Sequence, residues 1–182
     1  MQATTDRTTA LRLLAVEHNA IRELIDALTD EEKTRPDTIR YGLYSDQRLS
    51  FKDLLAHLVT YEVYTLESID EWKQGKKHPI LDILGTYKGG VRVHYGGIEQ
   101  RAAIPLSGVV DEWQTTQTAL VQTIHNLTDD EWRSPAPYET DEPTDLGGIV
   151  EFILVQPPRP LYRHLTVHIP DSQAYIKSLR RS

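Results

Sequence analysis

The sequence predicts an all-α fold, a four-helix bundle formed by a single domain. Three segments carry apolar residues at helical spacing, which is typical of helices that bury one face in a shared core. The chain has 182 residues, of which 39% are hydrophobic and 26% are charged. This size and this composition are those of one folded globular domain. We therefore expect a single domain over residues 1–182 with one hydrophobic core.

The first two bundle helices are predicted over residues 8–28 and 50–72. The second begins at Ser50, a favourable N-cap residue, and Gly75 is placed to end it. Its apolar residues include Phe51, Leu54, Leu55, Leu58, Leu66 and Ile69. The first helix shows its apolar stripe at Leu11, Leu14, Ile21, Ile25 and Leu28.

Residues 77–106 separate the second helix from the third. Glycines and prolines are frequent in this stretch, which predicts a long irregular connection with a short extended piece at 91–94. Such a connection either carries function or crosses over between parallel helices. The third helix is predicted to begin near Ser107, with its core stripe at Val109, Val110, Trp113, Leu120, Val121, Ile124 and Leu127.

Two short segments after the first and third helices repeat one pattern. Thr29 is followed three residues later by Glu32, and Thr128 is followed in the same way by Glu131. A threonine N-cap with a glutamate at this spacing is the capping-box pattern. We expect each segment to begin a short helical turn as the long helix ends.

The C-terminal third is harder to assign from its pattern. Residues 149–155 are apolar without a clear period, so that both a strand and a buried helix are compatible with them. Prolines at 157, 158 and 160 prevent a continuous helix through this region. We predict a fourth helix over residues 160–179, kinked at Pro170.

Composition narrows the classes of function. The chain has no cysteine, so any metal ion must be bound by nitrogen and oxygen atoms. The net charge of −7 argues against a broad phosphate-binding face, and we expect no nucleic-acid partner. The N-terminus does not resemble a signal peptide and no stretch is long enough to cross a bilayer. We therefore expect a cytoplasmic protein without a membrane partner.

Three histidines are candidates for one metal site. His164 and His168 are four residues apart, so that on a helix their rings project from one face and can share an ion. His57 lies in a strongly apolar part of the second helix, where an imidazole needs a partner. A solvated or core-lining position is the alternative for each of them.

Other polar residues carry weaker expectations. Glu62 falls near the centre of an apolar stripe and is a candidate second-shell acceptor, ligand or general base, with a structural ion pair as the alternative. His18 is predicted to be a hydrogen-bonded core histidine, and His125 to point away from the core. His78 and His94 are expected to be solvated within the connection.

Three motifs carry a family resemblance. They are LLAHL at residues 54–58, EWKQG at 71–75 and HLTVHIPD at 164–171. Together they resemble the DinB/YfiT-like superfamily of proposed metalloenzymes, and in particular its ClbS/DfsB branch, named for a colibactin self-protection protein. The resemblance implies a long crossover between helices two and three, and a metal near the open end of the bundle bound by His57, His164 and His168. The proline-rich residues 156–160 depart from the family pattern.

These residues predict an enzyme. Three imidazoles on Zn²⁺ or Ni²⁺ leave a coordination position for water or for a low-molecular-weight thiol, while Glu62 or one of Tyr61 and Tyr64 handles the proton. The family resemblance implies the reaction classes: a metal-dependent hydrolase, or a thiol-dependent transferase or isomerase, that acts on small reactive molecules in detoxification or self-protection. The alternative is a non-catalytic bundle that binds or sequesters a small molecule. A third reading is that the helix pairs form a homodimer.

Overall fold

The computed structural model of the protein describes residues 1–36, 38, 49–155 and 172–181. In these residues it contains helices and no strand, and an isolated β-bridge joins Pro135 and Asp145. The helices are α1 (Arg7–Ala27), α2 (Asp30–Thr34), α3 (Phe51–Lys73), α4 (Ile80–Leu84), α5 (Tyr87–Arg101), α6 (Leu106–His125), α7 (Asp129–Trp132), α8 (Leu146–Val155) and α9 (Ser172–Leu179).

The helix α3 lies at the centre of the bundle. It packs against α6, α5 and α8, while α1 packs against α6 and α9. Side chains of α3 contribute to both clusters of the hydrophobic core: residues 51–59 to one, and Tyr61, Ile69 and Trp72 to the other. The predicted all-α bundle is confirmed. None of the helices in this part of the chain combines the length and the apolar character that a membrane span requires.

The ends of the long helices follow from local sequence. The Asp6 side chain accepts a hydrogen bond from the Thr9 backbone N–H and begins α1. Ser50 and Asp53 form a reciprocal capping box at the start of α3. Gly75, which follows α3, has a φ of 77°, a left-handed conformation that favours glycine. The predicted boundaries of the first three bundle helices agree with the structure to within about two residues.

Both predicted capping boxes are present. The Thr29 side chain accepts from the Glu32 backbone N–H and the Glu32 carboxylate accepts from the Thr29 backbone N–H, which begins α2. Thr128 and Glu131 make the same pair of bonds at α7. The chain therefore begins a new short helix directly after each of α1 and α6.

The long crossover between the second and third bundle helices is present, but its expected irregular structure is wrong. It contains α4 and α5, and residues 91–94 are helical and not extended. The glycines serve close packing there. A Cβ at Gly89 would overlap the carbonyl oxygen of Ile83, and one at Gly97 would overlap the side chain of Thr60. A high glycine content indicates a loop or a close helix contact equally well, and only the fold distinguishes them.

Residues 146–155 form a buried helix, α8, which decides between the two structures that the sequence allowed. Asp145 precedes it, and its Oδ1 accepts a hydrogen bond from the Gly148 backbone N–H at 2.7 Å. The helix lacks a clear apolar period because most of its side chains are buried. The predicted start of the last helix at residue 160 and its kink at Pro170 lie outside the described residues, whereas α9 covers the predicted C-terminal end.

Candidate functional site

A buried carboxylate and a buried histidine meet between α1 and α3. Oε1 of Glu62 lies 3.2 Å from Nε2 of His18, at hydrogen-bond distance, and both side chains are almost completely buried. Within the part of the chain that the structure describes, Oε2 of Glu62 and Nδ1 of His18 have no hydrogen-bond partner. The ring of His18 also packs edge-on against Trp113, with 6.1 Å between the ring centroids. Each side chain of the pair therefore retains one polar atom for a further interaction.

Burial raises the pKa of Glu62 above its ordinary value, and the hydrogen bond to His18 opposes this effect without cancelling it. A carboxyl group with a raised pKa exchanges its proton closer to neutral pH than an exposed one does. Glu62 can therefore act as a general acid when protonated and as a general base when ionised.

A small cavity lies beside this pair. Its volume of about 20 Å³ exceeds the 10–15 Å³ that one water molecule needs. Polar groups from α1 and α3 supply hydrogen-bond partners, and leucines complete the wall: the lining residues are Leu14, Glu17, His18, Leu58, Tyr61, Glu62 and Leu154. A water molecule in such a cavity lies within reach of a carboxyl group that can accept its proton.

Of the two tyrosines predicted to handle a proton, the structure places one at the cavity. Tyr61 lines the cavity together with Glu62. Tyr64 does not line it, and its ring lies 5.9 Å from that of His78 on the crossover. The His78 side chain is half-buried, with Nε2 3.5 Å from a carboxylate oxygen of Glu67.

His57 lies next to this cavity through Tyr61. The two rings pack edge-on with 4.7 Å between their centroids, and the His57 side chain is buried. Its Nδ1 is 2.6 Å from Nδ1 of His94 on α5. The expectation that His94 is solvated is therefore wrong: the side chain is only 2% exposed, because α5 is a helix that packs directly on α3.

The predicted metal ligands are brought together only in part. His164 and His168 lie outside the described residues, and within residues 1–36, 38, 49–155 and 172–181 no group of three candidate ligands is close enough to bind one ion. The buried imidazole of His57, with the His94 nitrogen converging on it, has the donor chemistry that Zn²⁺ and Ni²⁺ accept. The metal site at His57, His164 and His168 stays a prediction.

The remaining histidines behave as the sequence predicts. His18 is a buried, hydrogen-bonded histidine of α1. His125 is exposed at the end of α6. Helical periodicity correctly assigned both residues to their faces.

Solved structures share this fold. An uncharacterised protein from Escherichia coli UTI89 is 12% identical, with a TM-score of 0.69 over 98% of this chain and 91% of that chain. The colibactin self-resistance protein ClbS, in complex with double-stranded DNA, is 13% identical, with a TM-score of 0.71 over 99% of both chains. At such identities the likeness shows the fold. No curated protein matches the sequence.

The ClbS complex overturns one prediction. A protein with the fold of this chain is crystallised with double-stranded DNA, so the exclusion of a nucleic-acid partner is wrong. The error came from the net charge of −7, which sums over the whole surface, whereas phosphate binding depends on local lysines and arginines. On this chain Lys177 and Arg181 line one surface groove at α9.

The family relationship rests on the sequence of the bundle itself. The model of the DinB superfamily matches residues 14–155, which is more than half of the chain. This segment includes α3, the crossover helices and every residue that lines the cavity. The resemblance to this superfamily is thereby confirmed, and two of its three motifs, at residues 54–58 and 71–75, lie within the matched segment. We conclude that the chain belongs to the DinB superfamily.

Proposed function

We propose that the protein is an enzyme that hydrolyses small reactive molecules, with Glu62 as its acid-base residue. One observation carries this proposal: Glu62 lines a water-sized cavity, and one of its carboxylate oxygens has no partner within the described chain. In the reaction Glu62 takes a proton from the water as the water oxygen attacks the electrophile. Tyr61, in the same cavity wall, is the proposed proton donor to the leaving group.

The proposed biological role is self-protection or detoxification. ClbS, a colibactin self-resistance protein with the same fold, supports this role. The cavity has room for the attacking water molecule but not for a whole substrate. Only the reacting group of the electrophile therefore has to come close to the residues that line it. A fold does not determine a reaction, and the role depends on the chemistry of the site.

A divalent metal ion is the proposed cofactor. His57, His164 and His168 are its proposed ligands, and Zn²⁺ or Ni²⁺ suits three imidazoles. When bound, such an ion lowers the pKa of a coordinated water or binds the thiolate of a low-molecular-weight thiol. His57 is buried, and it packs against the ring of Tyr61, which lines the cavity. Both observations support a metal ion at this end of the site.

The proposed metal ion, which we call the metal part of the proposed function, makes a separate prediction. His164→Ala should lower the metal content of the purified protein and the thermal stabilisation by added Zn²⁺ together, because ligand binding and folding are linked. His125→Ala, an exposed control on α6, should change neither. Elemental analysis and thermal unfolding with and without Zn²⁺ measure both. Unchanged metal content in the His164→Ala protein would remove this residue from the site.

A turnover assay distinguishes the enzyme from a binding protein. Freshly purified protein is incubated with p-nitrophenyl acetate and with styrene oxide, each with and without glutathione, before and after treatment with a chelator. We expect product formation above that of heat-unfolded protein. If a probe raises the unfolding temperature but is recovered unchanged, the bundle is a sequestering protein and the enzymatic proposal fails.

Double-stranded DNA is a second proposed partner, supported by the ClbS complex and by the basic groove at α9. Fluorescence anisotropy with a labelled duplex should show binding that weakens steeply with salt, because phosphate contacts release counterions. A double variant with Lys177→Glu and Arg181→Glu should bind the duplex more weakly than the unsubstituted protein at the same salt concentration. Anisotropy that stays at the value of free DNA at low salt would exclude this partner.

A further inference from the structure

Two buried imidazoles face each other where the crossover helix meets the bundle. His57 on α3 and His94 on α5 are 3% and 2% exposed, and their Nδ1 atoms are 2.6 Å apart. We propose that His57 and His94 together bind a divalent transition-metal ion, so that α5 contributes a metal ligand. This inference rests on the metal part of the proposed function and adds a ligand that the sequence motifs do not contain.

The short distance has a chemical reason. Two imidazole nitrogens with lone pairs directed at each other repel, so a positive group has to lie between them: either the proton of a hydrogen bond or a cation. Two nitrogens bound tetrahedrally to one Zn²⁺ are about 3.3 Å apart, given metal–nitrogen distances of about 2.0–2.1 Å. The rings therefore need to separate by less than about 1 Å to accept the ion, a shift that side-chain rotation provides.

Close helix packing brings the two rings together. His94 and Gly97 are three residues apart on one face of α5, as are His57 and Thr60 on α3. A Cβ at Gly97 would overlap the Thr60 side chain, so glycine is what lets α5 approach α3 at this contact. The ring pair is thus preorganised by backbone packing, which lowers the cost of binding an ion.

A partly buried arginine, Arg101, fixes α5 one turn further along. Arg101 donates to Thr60 Oγ1 at 3.0 Å and to the Gly97 carbonyl at 3.2 Å. It also forms a two-pronged pair with the Glu112 carboxylate of α6, at 2.9 and 2.7 Å. Such bidentate pairs are rigid, and this one ties α5 to both α3 and α6. The position of His94 is therefore determined by three helices.

The surroundings of the pair suit a metal ion beside the reaction cavity. The rings of Tyr61 and Tyr95 pack edge-on against His57 and His94, each with 4.7 Å between the centroids. An aromatic shell restricts solvent access and so strengthens the interaction between the ligands and an ion. Tyr61 also lines the cavity of Glu62. An ion on this pair therefore lies close to the proposed acid-base residue.

The test titrates Co²⁺ and Zn²⁺ into chelator-treated full-length protein and into His57→Phe, His94→Phe and His125→Phe. Phenylalanine keeps an aromatic ring in the core while it removes the nitrogen, and His125 is the exposed control. Calorimetry gives the affinity, the visible spectrum of Co²⁺ reports its ligands, and circular dichroism checks that each variant is folded. We expect His94→Phe and His57→Phe each to lose affinity by on the order of tenfold or more, with a changed Co²⁺ spectrum.

Each outcome decides something different. If His57→Phe loses the ion while His94→Phe keeps the affinity and spectrum of the unsubstituted protein, His94 is only a hydrogen-bond partner. That result overturns this inference and leaves the metal part of the proposed function intact. If the unsubstituted protein binds neither ion, both the inference and the metal part fail. The turnover assay, carried out without metal, then still tests the proposal for Glu62.

Discussion

Among the described residues, Glu62 shares one hydrogen bond in the interior, with the His18 ring at 3.2 Å. An ionised carboxylate in such a place loses much of its hydration, at a cost of several kcal/mol that one hydrogen-bond partner does not offset. This is the physical reason for its raised pKa. It also makes Glu62 a group that is destabilising when charged, a property that proteins retain at sites of proton transfer.

A pH dependence of stability follows. The folded-state pKa of Glu62 is raised above its ordinary value of 4.5, so the stabilising effect of the protonated form is complete below pH 4.5 and is lost as the pH rises through the folded pKa. The unfolding free energy relative to that of Glu62→Gln should therefore fall from pH 4.5 upwards. Urea unfolding at several pH values up to about 8 measures it. If the difference in unfolding free energy between the two proteins does not change with pH, burial does not raise the pKa of Glu62.

The sequence indicated that Glu62, Tyr61 and His57 lie towards the interior because helical periodicity places a residue on a face of its own helix. It missed the contact with His94 because periodicity does not say which side chain approaches that face from another element. A residue pair across two helices depends on how closely the backbones approach. In α5 that approach depends on a glycine, which in the sequence alone looks like a loop residue.

At the scale of elements, the crossover helix α5 brings His94 against His57 of α3. It packs on α3 and is tied to α6 by Arg101. The two capping boxes were predictable because their signal lies within four residues. The helical state of α5 was not, since its four glycines lower helix propensity and its packing on α3 overrides that preference.

Two neighbouring glycines provide a matched pair of variants. Gly97→Ala places a Cβ against Thr60 and should destabilise the protein by about 1–3 kcal/mol, as overpacking does. At Gly96 a Cβ has nothing within 4 Å, so Gly96→Ala should be neutral or stabilising by up to about 1 kcal/mol. Urea unfolding of both variants measures the difference. Equal effects would show that α5 does not pack on α3 through Gly97.

At the scale of the whole molecule, the N-terminal residues fasten α1 to α8. The Glu151 carboxylate accepts hydrogen bonds from the backbone N–H groups and hydroxyls of Thr4 and Thr5, between 2.8 and 3.1 Å. The indole N–H of Trp132 donates to the Thr5 carbonyl at 3.0 Å. Residues distant in sequence thus hold together the helices that surround α3.

This connection can be weakened without touching the site. Glu151→Gln replaces one acceptor oxygen by an amide donor and leaves partly buried N–H groups unsatisfied, so we expect a loss of about 1–3 kcal/mol. The exposed Glu139 provides the control Glu139→Gln, which should have little effect. Thermal unfolding compares them. If both variants unfold at the unsubstituted temperature, the N-terminal segment does not stabilise the bundle.

The fold of the whole chain was predictable because three long apolar stripes and their caps point to one architecture. The exclusion of a nucleic-acid partner did not follow from the sequence, because net charge carries no information about where charges lie on the surface. The DNA complex of a protein with the same fold corrected that expectation.

The proposal as a whole depends on Glu62, and one comparison tests it most directly. The value of kcat/KM is measured for Glu62→Gln and for Glu99→Gln, an exposed glutamate of α5, with whichever electrophile the unsubstituted protein converts fastest. Removal of a general acid-base residue should lower the Glu62→Gln value by about 10²–10⁴-fold, while Glu99→Gln stays near the unsubstituted value. Equal, undiminished turnover by both folded variants would contradict the assignment of the site.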